Sequence, residues 1–201
     1  MPFSPLEHRH TDSHADFAWG AAAVLALGAW LAWRTPAGMG LEMGAGVAAG
    51  LVAWSPLEYA LHRFVLHRLP LFRGWHLEHH RQPTALVCAP TVVGAALIGL
   101  VVCLPAIALL GPWLGGAVTL GVLLGYLAYA LTHHALHHGT PGSEWLQRRK
   151  YWHAKHHHLA HGCCFGITSG FWDRVFRTAS HKDSPKVPAT TENIPVVRRG
   201  G

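Results

Sequence analysis

The chain alternates between long apolar stretches and short polar stretches rich in arginine and histidine. A helix needs about 20 apolar residues to cross the hydrocarbon core of a bilayer. Four stretches meet or approach this length: Phe17–Trp33, Met43–Leu61, Ala85–Leu110 and Trp113–Thr132. Tryptophans lie toward their ends, as in the aromatic belt of a membrane protein. The pattern therefore predicts an all-α integral membrane protein with four transmembrane helices.

The first apolar stretch also admits an alternative interpretation as a signal peptide. A signal peptide begins with a basic segment, whereas residues 1–16 carry one arginine and three acids. The apolar run is also long for the core of a signal peptide. We therefore expect residues 1–16 to form an N-terminal tail and the first stretch to remain as a helix.

Composition and charge agree with a membrane protein. Half of the residues are apolar and 13% are charged, against about 25% charged residues in soluble domains. The net charge of +6 comes from basic residues beside the apolar stretches, which is typical of membrane topology and not of nucleic-acid binding. One arginine separates the first two stretches, four separate the second and third, and ten basic residues follow the fourth.

The positive-inside rule then places both termini and the middle loop in the cytosol. The expected organisation is a tail over residues 1–16, a membrane-embedded domain over residues 17–178, and a tail over residues 179–201. The last segment is rich in proline, threonine and charge, which indicates disorder.

Eighteen histidines are the most unusual feature of the composition, and ten of them form four clusters. Neutral imidazole is a common nitrogen ligand for transition metals. All four clusters fall on the predicted cytosolic side, so we expect a cytosolic helical cap that carries a histidine-rich di-metal site. The predicted ligands are His62 and His67; His76, His79 and His80; His133 and His137; and His153, His156 and His157.

The spacing within the clusters predicts how two ions share them. Residues at i, i+3 and i+4 share a helix face, but adjacent residues diverge by about 100°. In each HxxHH cluster, neighbouring histidines can therefore reach different ions. About five ligands for each ion would leave one position open on an octahedral metal. His62 and His67 diverge by about 140° on a regular helix, so either they serve two ions or the helix is distorted near Pro56.

The ligand set also limits the metal, because nitrogen ligands favour iron, zinc, copper or nickel over magnesium and calcium. Carboxylates commonly accept a hydrogen bond from the free nitrogen of a ligating histidine. Glu58, Glu78 and Asp173 are candidates, and Glu78, inside the second cluster, is favoured, with a solvated outward position as the alternative. His161 is a further candidate for hydrogen bonding to the site. Three aromatic residues have two possible roles, since they either line a path for substrate or pack in the core: Trp54, Tyr126 and Tyr129.

The ordered set of clusters resembles the fatty acid hydroxylase/sterol desaturase superfamily of membrane di-metal oxygenases. The resemblance extends from about Ser55 to Thr178, and within the superfamily the sequence is most similar to fatty acid 2-hydroxylases. The stretches that carry it are Glu58–His67, Gly74–His80, Gly125–Gly139, His153–His157 and Phe165–Phe176. Trp152 stands where these relatives often have tyrosine.

The resemblance implies that the ten clustered histidines bind two metal ions, with iron expected in the active enzyme and zinc acceptable in a purified or crystallised form. It further implies a reaction with dioxygen on a lipid or fatty acyl chain at the cytosolic face of the membrane. Many eukaryotic 2-hydroxylases carry an N-terminal cytochrome b5 domain, for which this chain has no room. We therefore expect a separate electron donor, either cytochrome b5-like or ferredoxin-like.

Other functions remain as alternatives at this point. A sterol or acyl desaturase, or a carotenoid hydroxylase, would use much the same histidines. A metal transporter would need ionisable residues near the bilayer midplane, whereas the interiors of the apolar stretches lack histidine and acidic residues. A haem protein would need an axial histidine deep within a helix pair, whereas the clusters lie at the ends of the apolar stretches. The metal transporter and the haem protein are therefore both disfavoured.

Overall fold

The computed structural model describes residues 10–83, 94, 97–140, 142–158 and 162–180, and the prediction of an all-α fold is confirmed for these residues. Two π-helical turns, Leu61–Leu66 and Gly99–Cys103, interrupt the α-helices. The α-helices are α1 (His10–Arg34), α2 (Gly40–Ala60), α3 (Pro70–Arg81), α4 (Leu104–His138), α5 (Glu144–His158) and α6 (Phe171–Val175). Helix α1 thus begins before the predicted stretch at Phe17, while residues 181–201 of the predicted tail lie outside the described residues.

Two helical stretches in the described part of the chain are long and apolar enough to cross a membrane, namely Phe17–Arg34 and Gly99–His138. The second is not straight, because Gly111 has a φ of 77° and Pro112 follows it. A Cβ atom on Gly115 would lie 2.6 Å from backbone atoms of Ala106, so the chain folds back on itself at this bend. The bend falls between the third and fourth predicted stretches. Residues 85–93, 95 and 96 of the third stretch lie outside the described residues.

Helices α2 and α4 pack closely because small residues face each other along their contact. The Cβ of an alanine at Gly50 would lie 2.9 Å from the Cα of Gly121, and one at Gly46 would lie 2.9 Å from the Cβ of Ala117. Small residues let helix backbones approach in this way where apolar burial offers little driving force. The close contact brings the ends of α2 and α4 together, and with them the histidines that follow on each.

Helix α1 packs against the other side of α4. Leu31 is buried and lies over Gly116, and the rings of Trp30 and Trp113 stack with centroids 5.1 Å apart. Helices α3 and α5, which are polar and rich in histidine, lie beyond the ends of α2 and α4. They supply the remaining histidines of the site.

Candidate metal centre

The structure brings the ten clustered histidines into two groups of five. Each histidine offers one ring nitrogen, and within each group these nitrogens all lie within 4.8 Å of one another. We call them the first and the second histidine group. The first consists of His62, His67, His76, His80 and His156, and the second of His79, His133, His137, His153 and His157.

Each HxxHH cluster is divided between the two groups. On α3, His76 and His80 belong to the first group while His79 belongs to the second. On α5 the division is reversed, because His156 belongs to the first group and its neighbours in the cluster belong to the second. Helical geometry explains this division, since residues at i and i+4 are about 40° apart and adjacent residues about 100° apart.

His62 and His67 lie in the same group although five residues separate them. The chain between them, Leu61–Leu66, is a π-helical turn. A π-helix has i→i+5 hydrogen bonds and more residues per turn than an α-helix, so it brings residues five apart closer to the same face. Of the two alternatives for this pair, the structure therefore favours a distorted helix over one histidine for each ion. The distortion lies at Leu61–Leu66, whereas Pro56 lies inside α2.

Backbone carbonyl groups orient two histidines of the first group. The Nδ1 of His62 donates to the carbonyl oxygen of Phe165 at 2.5 Å, and the Nδ1 of His156 donates to that of Cys163 at 2.7 Å. This assignment leaves the Nε2 lone pair of each ring facing the group. The Nε2 of His62 lies 3.0 Å from that of His76, and the Nε2 of His67 lies 3.0 Å from that of His156.

Burial keeps these imidazoles neutral. Burial, together with the neighbouring histidines, lowers the pKa of His79 to about 4. The same two causes hold the pKa of His76, His153 and His157 well below the usual range. A buried imidazole loses its proton because the charged form is poorly solvated. Neutral imidazole is the form that binds a metal.

The arrangement fits two metal ions. In the second group the Nε2 atoms of His79 and His157 are buried and have no hydrogen-bond partner among the described residues. Convergent nitrogen lone pairs repel one another unless a cation lies between them. The two groups are adjacent, since the rings of His80 and His157 stack with centroids 4.1 Å apart. The histidine groups can therefore hold a pair of metal ions.

Two buried carboxylates hold the loop that supplies the carbonyl groups. Glu58 accepts hydrogen bonds from the backbone N–H groups of Ile167 and Thr168 at 2.7 and 2.8 Å, and from the Thr168 hydroxyl. Asp173 accepts from the N–H groups of Phe165 and Gly166 at 2.9 and 2.8 Å. Both carboxylates were candidates for direct contact with a histidine, but they act on the loop instead.

The favoured carboxylate, Glu78, makes no hydrogen bond to a histidine among the described residues. It accepts hydrogen bonds from Arg81 at 3.2 Å and from Gln82 at 2.7 Å on the exposed side of α3. The preferred interpretation of Glu78 was therefore wrong, and the solvated alternative is correct. His161 lies outside the described residues. The roles of the Cys163 and Phe165 carbonyl groups were not predicted from the sequence, because every residue has a backbone carbonyl group whatever its side chain.

The three aromatic candidates contact one another beside the second histidine group. Trp54 is buried, and its ring centroid lies 5.6 Å from that of Tyr126 and 5.9 Å from that of Tyr129. Tyr129 in turn stacks on His133 at 5.7 Å. An aromatic contact therefore runs from the α2–α4 interface to the histidines.

Comparisons with known proteins agree with this site. The family model described as fatty acid hydroxylase matches residues 47–178, which include all ten histidines. A dihydroceramide fatty acyl 2-hydroxylase of Arabidopsis thaliana is 35% identical over 147 residues, which are 68% of this chain and 61% of that protein. A fatty acid 2-hydroxylase of Macaca fascicularis is 35% identical over 142 residues, which are 64% of this chain and 38% of that protein.

A solved structure of full-length scs7p, in which only the hydroxylase domain is visible, has a similar fold. It matches with a TM-score of 0.72 and 26% identity, covering 85% of this chain and 67% of that one. A ceramide very long chain fatty acid hydroxylase, scs7, of Schizosaccharomyces pombe is 37% identical over 143 residues, which are 64% of this chain and 40% of that protein. The chain thus spans less than two thirds of the length of these curated relatives.

Proposed function

The chain belongs to the fatty acid hydroxylase family, and on that basis we propose that it is a membrane di-iron oxygenase that hydroxylates a lipid acyl chain. The observation that carries the proposal is the pair of adjacent groups of five histidines within the family match. The names of the similar proteins, which are 2-hydroxylases of fatty acyl chains, support the 2-position as the site of reaction.

The ten histidines would hold two iron ions, five histidines to each. When bound there, the iron pair supplies, with dioxygen and external electrons, the oxidising power that breaking a C–H bond requires. The chain's own residues have other tasks. They keep the imidazoles neutral by burial, and they orient His62 and His156 through the carbonyl groups of Phe165 and Cys163.

Exclusion of water is a further task of the protein. His62, His153 and His156 are each at most 3% exposed, which limits competing reactions at the site. An acyl chain would reach the site from the bilayer along the aromatic contact that ends at His133. Helix packing next to the second histidine group would hold the reacting carbon at a set distance.

The membrane arrangement is part of the proposal. Four transmembrane helices with a cytosolic cap agree with the bend at Gly111, which separates the third and fourth apolar stretches. The basic residues beside the histidine clusters favour cytosolic termini under the positive-inside rule. A separate electron donor, cytochrome b5-like or ferredoxin-like, would then approach from the cytosol.

The experiment that tests the function is lipid mass spectrometry of cells with and without the gene. We expect acyl chains heavier by one oxygen, with fragments that place the hydroxyl group at carbon 2. Cells expressing His79→Ala serve as the control, because any hydroxylation that depends on the metal centre should be absent from them. Chains lighter by two hydrogens would instead identify a desaturase, and an unchanged lipid profile would contradict the proposal.

A further inference from the structure

A cationic cavity lies behind the loop that orients the histidines. Its volume is about 380 Å³, and three arginines and one carboxylate contribute to its wall. The lining residues that carry the inference are Arg148, Arg149, Gly170, Asp173 and Arg174. Cys164 also lines it, directly after the residue whose carbonyl group binds His156. The cavity therefore adjoins the metal centre without containing any of its histidines.

Arg149 is the unusual member of this wall. It is only 8% exposed, its Nε has no hydrogen-bond partner, and its guanidinium makes no hydrogen bond to any residue in the described part of the chain. A guanidinium has five N–H donors and stays protonated in proteins. Burying such a group without acceptors is costly. Arg149 thus presents donors that none of the described residues accepts.

The guanidinium lies at the wall of the cavity. A Cβ atom built on Gly170 would lie 3.0 Å from one of its Nη atoms, and Gly170 lines the same space. A side chain on residue 170 would crowd the guanidinium in this position. The head of Arg149 is therefore in contact with the cavity, while its stem is covered by the fold.

The nearby carboxylates do not satisfy Arg149. Asp173 already accepts hydrogen bonds from two backbone N–H groups and from the Thr178 hydroxyl. Glu58 is engaged in the same way by Ile167 and Thr168. Neither forms an ion pair with Arg149 among the ion pairs of the described residues. Their charges act on the guanidinium only at longer range.

We propose that this cavity binds an oxoanion of the phosphate class, with Arg149 as its buried anchor. The planar fork of a guanidinium matches two oxygens of a phosphate group, and charge-assisted hydrogen bonds of this kind are strong. Arg148 and Arg174 add positive charge around the cavity. The phosphate group can belong to a phospholipid headgroup or to a free phosphate, and the chemistry of recognition is the same for both.

Bound phosphate would connect α5 to α6 on the outer side of the loop. Arg148 and Arg149 belong to α5 and Arg174 to α6, while Asp173 on α6 holds the N–H group of Phe165. The anion would thus support the loop that orients His62. This inference stands independently of the hydroxylase reaction, because it rests on residues outside both histidine groups.

The test uses the full chain, purified in detergent without phosphate, and measures its unfolding temperature. Inorganic phosphate is titrated at constant ionic strength against chloride, since a ligand of the folded state raises the unfolding temperature. We expect a saturable rise in the wild type and an apparent affinity weakened at least about tenfold in Arg149→Met. Arg73→Met, which removes an exposed arginine that does not line the cavity, should respond like the wild type.

A second variant and a second ligand complete the test. If Arg149→Met does not fold, the exposed Arg174→Met replaces it and should weaken the response several-fold. Dihexanoyl phosphatidic acid identifies the source, because a lipid headgroup site would bind it more tightly than inorganic phosphate and a free phosphate site less tightly. A response to phosphate no larger than that to chloride, or an unchanged response in both variants, would overturn the proposal.

Discussion

The Nδ1 nitrogen of His62 donates a hydrogen bond to the backbone carbonyl group of Phe165 at 2.5 Å, across 103 residues of sequence. This contact selects the tautomer of the ring and directs its Nε2 toward the first histidine group. The position of Phe165 depends in turn on the bond from its N–H group to Asp173. The orientation of this ring, a candidate metal ligand, is thereby linked to a buried carboxylate that makes no hydrogen bond to it.

The carboxylate of Glu58 should be needed for metal retention although it makes no hydrogen bond to any described histidine. Glu58→Ala removes three hydrogen bonds that hold Ile167 and Thr168. We expect a loss of at least about 2 kcal/mol in the free energy of unfolding and a lower metal content by elemental analysis. Glu42→Ala changes an exposed acid on the same helix and is the matched control. Equal metal content in the two variants would show that metal retention does not need Glu58.

The two histidine groups should lose metal separately. His79→Ala alters the second group and His156→Ala the first. Each should reduce the metal content from about two ions per chain to about one and abolish product, with the protein still present in the membrane, because each removes one ligand from only one group. His158→Ala, an exposed neighbour of the last cluster, should keep both ions and full activity. Full activity in His79→Ala or His156→Ala would remove that residue from the ligand set.

The π-helical turn should tolerate a deletion better than an insertion. Removing Phe64, which is 46% exposed, converts the separation of His62 and His67 to four residues. A regular α-helix then places both rings on one face. Inserting an alanine after Phe64 makes the separation six and rotates His67 away. We expect metal content near the wild-type value for the deletion and a marked loss for the insertion; the opposite order would contradict a role for the turn in aligning this pair.

The contact between α2 and α4 should depend on Gly50. A Cβ atom there would overlap the carbonyl oxygen of Val118 and crowd the Cα of Gly121. Gly50→Ala should therefore destabilise the protein by about 1–3 kcal/mol, visible as an unfolding temperature lower by several degrees. Gly44→Ala is the control, since no atom lies within 4 Å of a Cβ at that position. A similar unfolding temperature for both variants would show that α2 and α4 can move apart at this position without loss of stability.

Local periodicity accounts for the parts of the molecule that were predicted correctly. The apolar stretches predicted an all-α protein, and the described residues are helical where those stretches fall. The histidine clusters carried the family resemblance, which the comparisons confirm. The division of His79 and His80 between two groups also follows from helical geometry, because adjacent residues diverge on any regular helix.

The failure at Glu78 has a physical cause. Its place inside an HxxHH cluster suggested a contact with a histidine, but it accepts hydrogen bonds from Arg81 and Gln82, three and four residues further along the chain at the end of α3. Proximity in sequence therefore favoured the wrong carboxylate. Glu58 and Asp173 lie on separate helices, and both support the site by binding the loop around Phe165. Their distance from the histidine clusters along the sequence gives no indication of this role.

The amino-acid sequence by itself determined the apolar stretches, the helical spacing of the histidines and the family, because each depends on residue types at short range. Only the tertiary structure decided that Leu61–Leu66 forms a π-helical turn, which histidines share a group, and that backbone carbonyl groups orient His62 and His156. These features depend on contacts between distant segments and on backbone groups that every residue carries. The packing of α2 against α4, with α3 and α5 beyond their ends, makes those contacts.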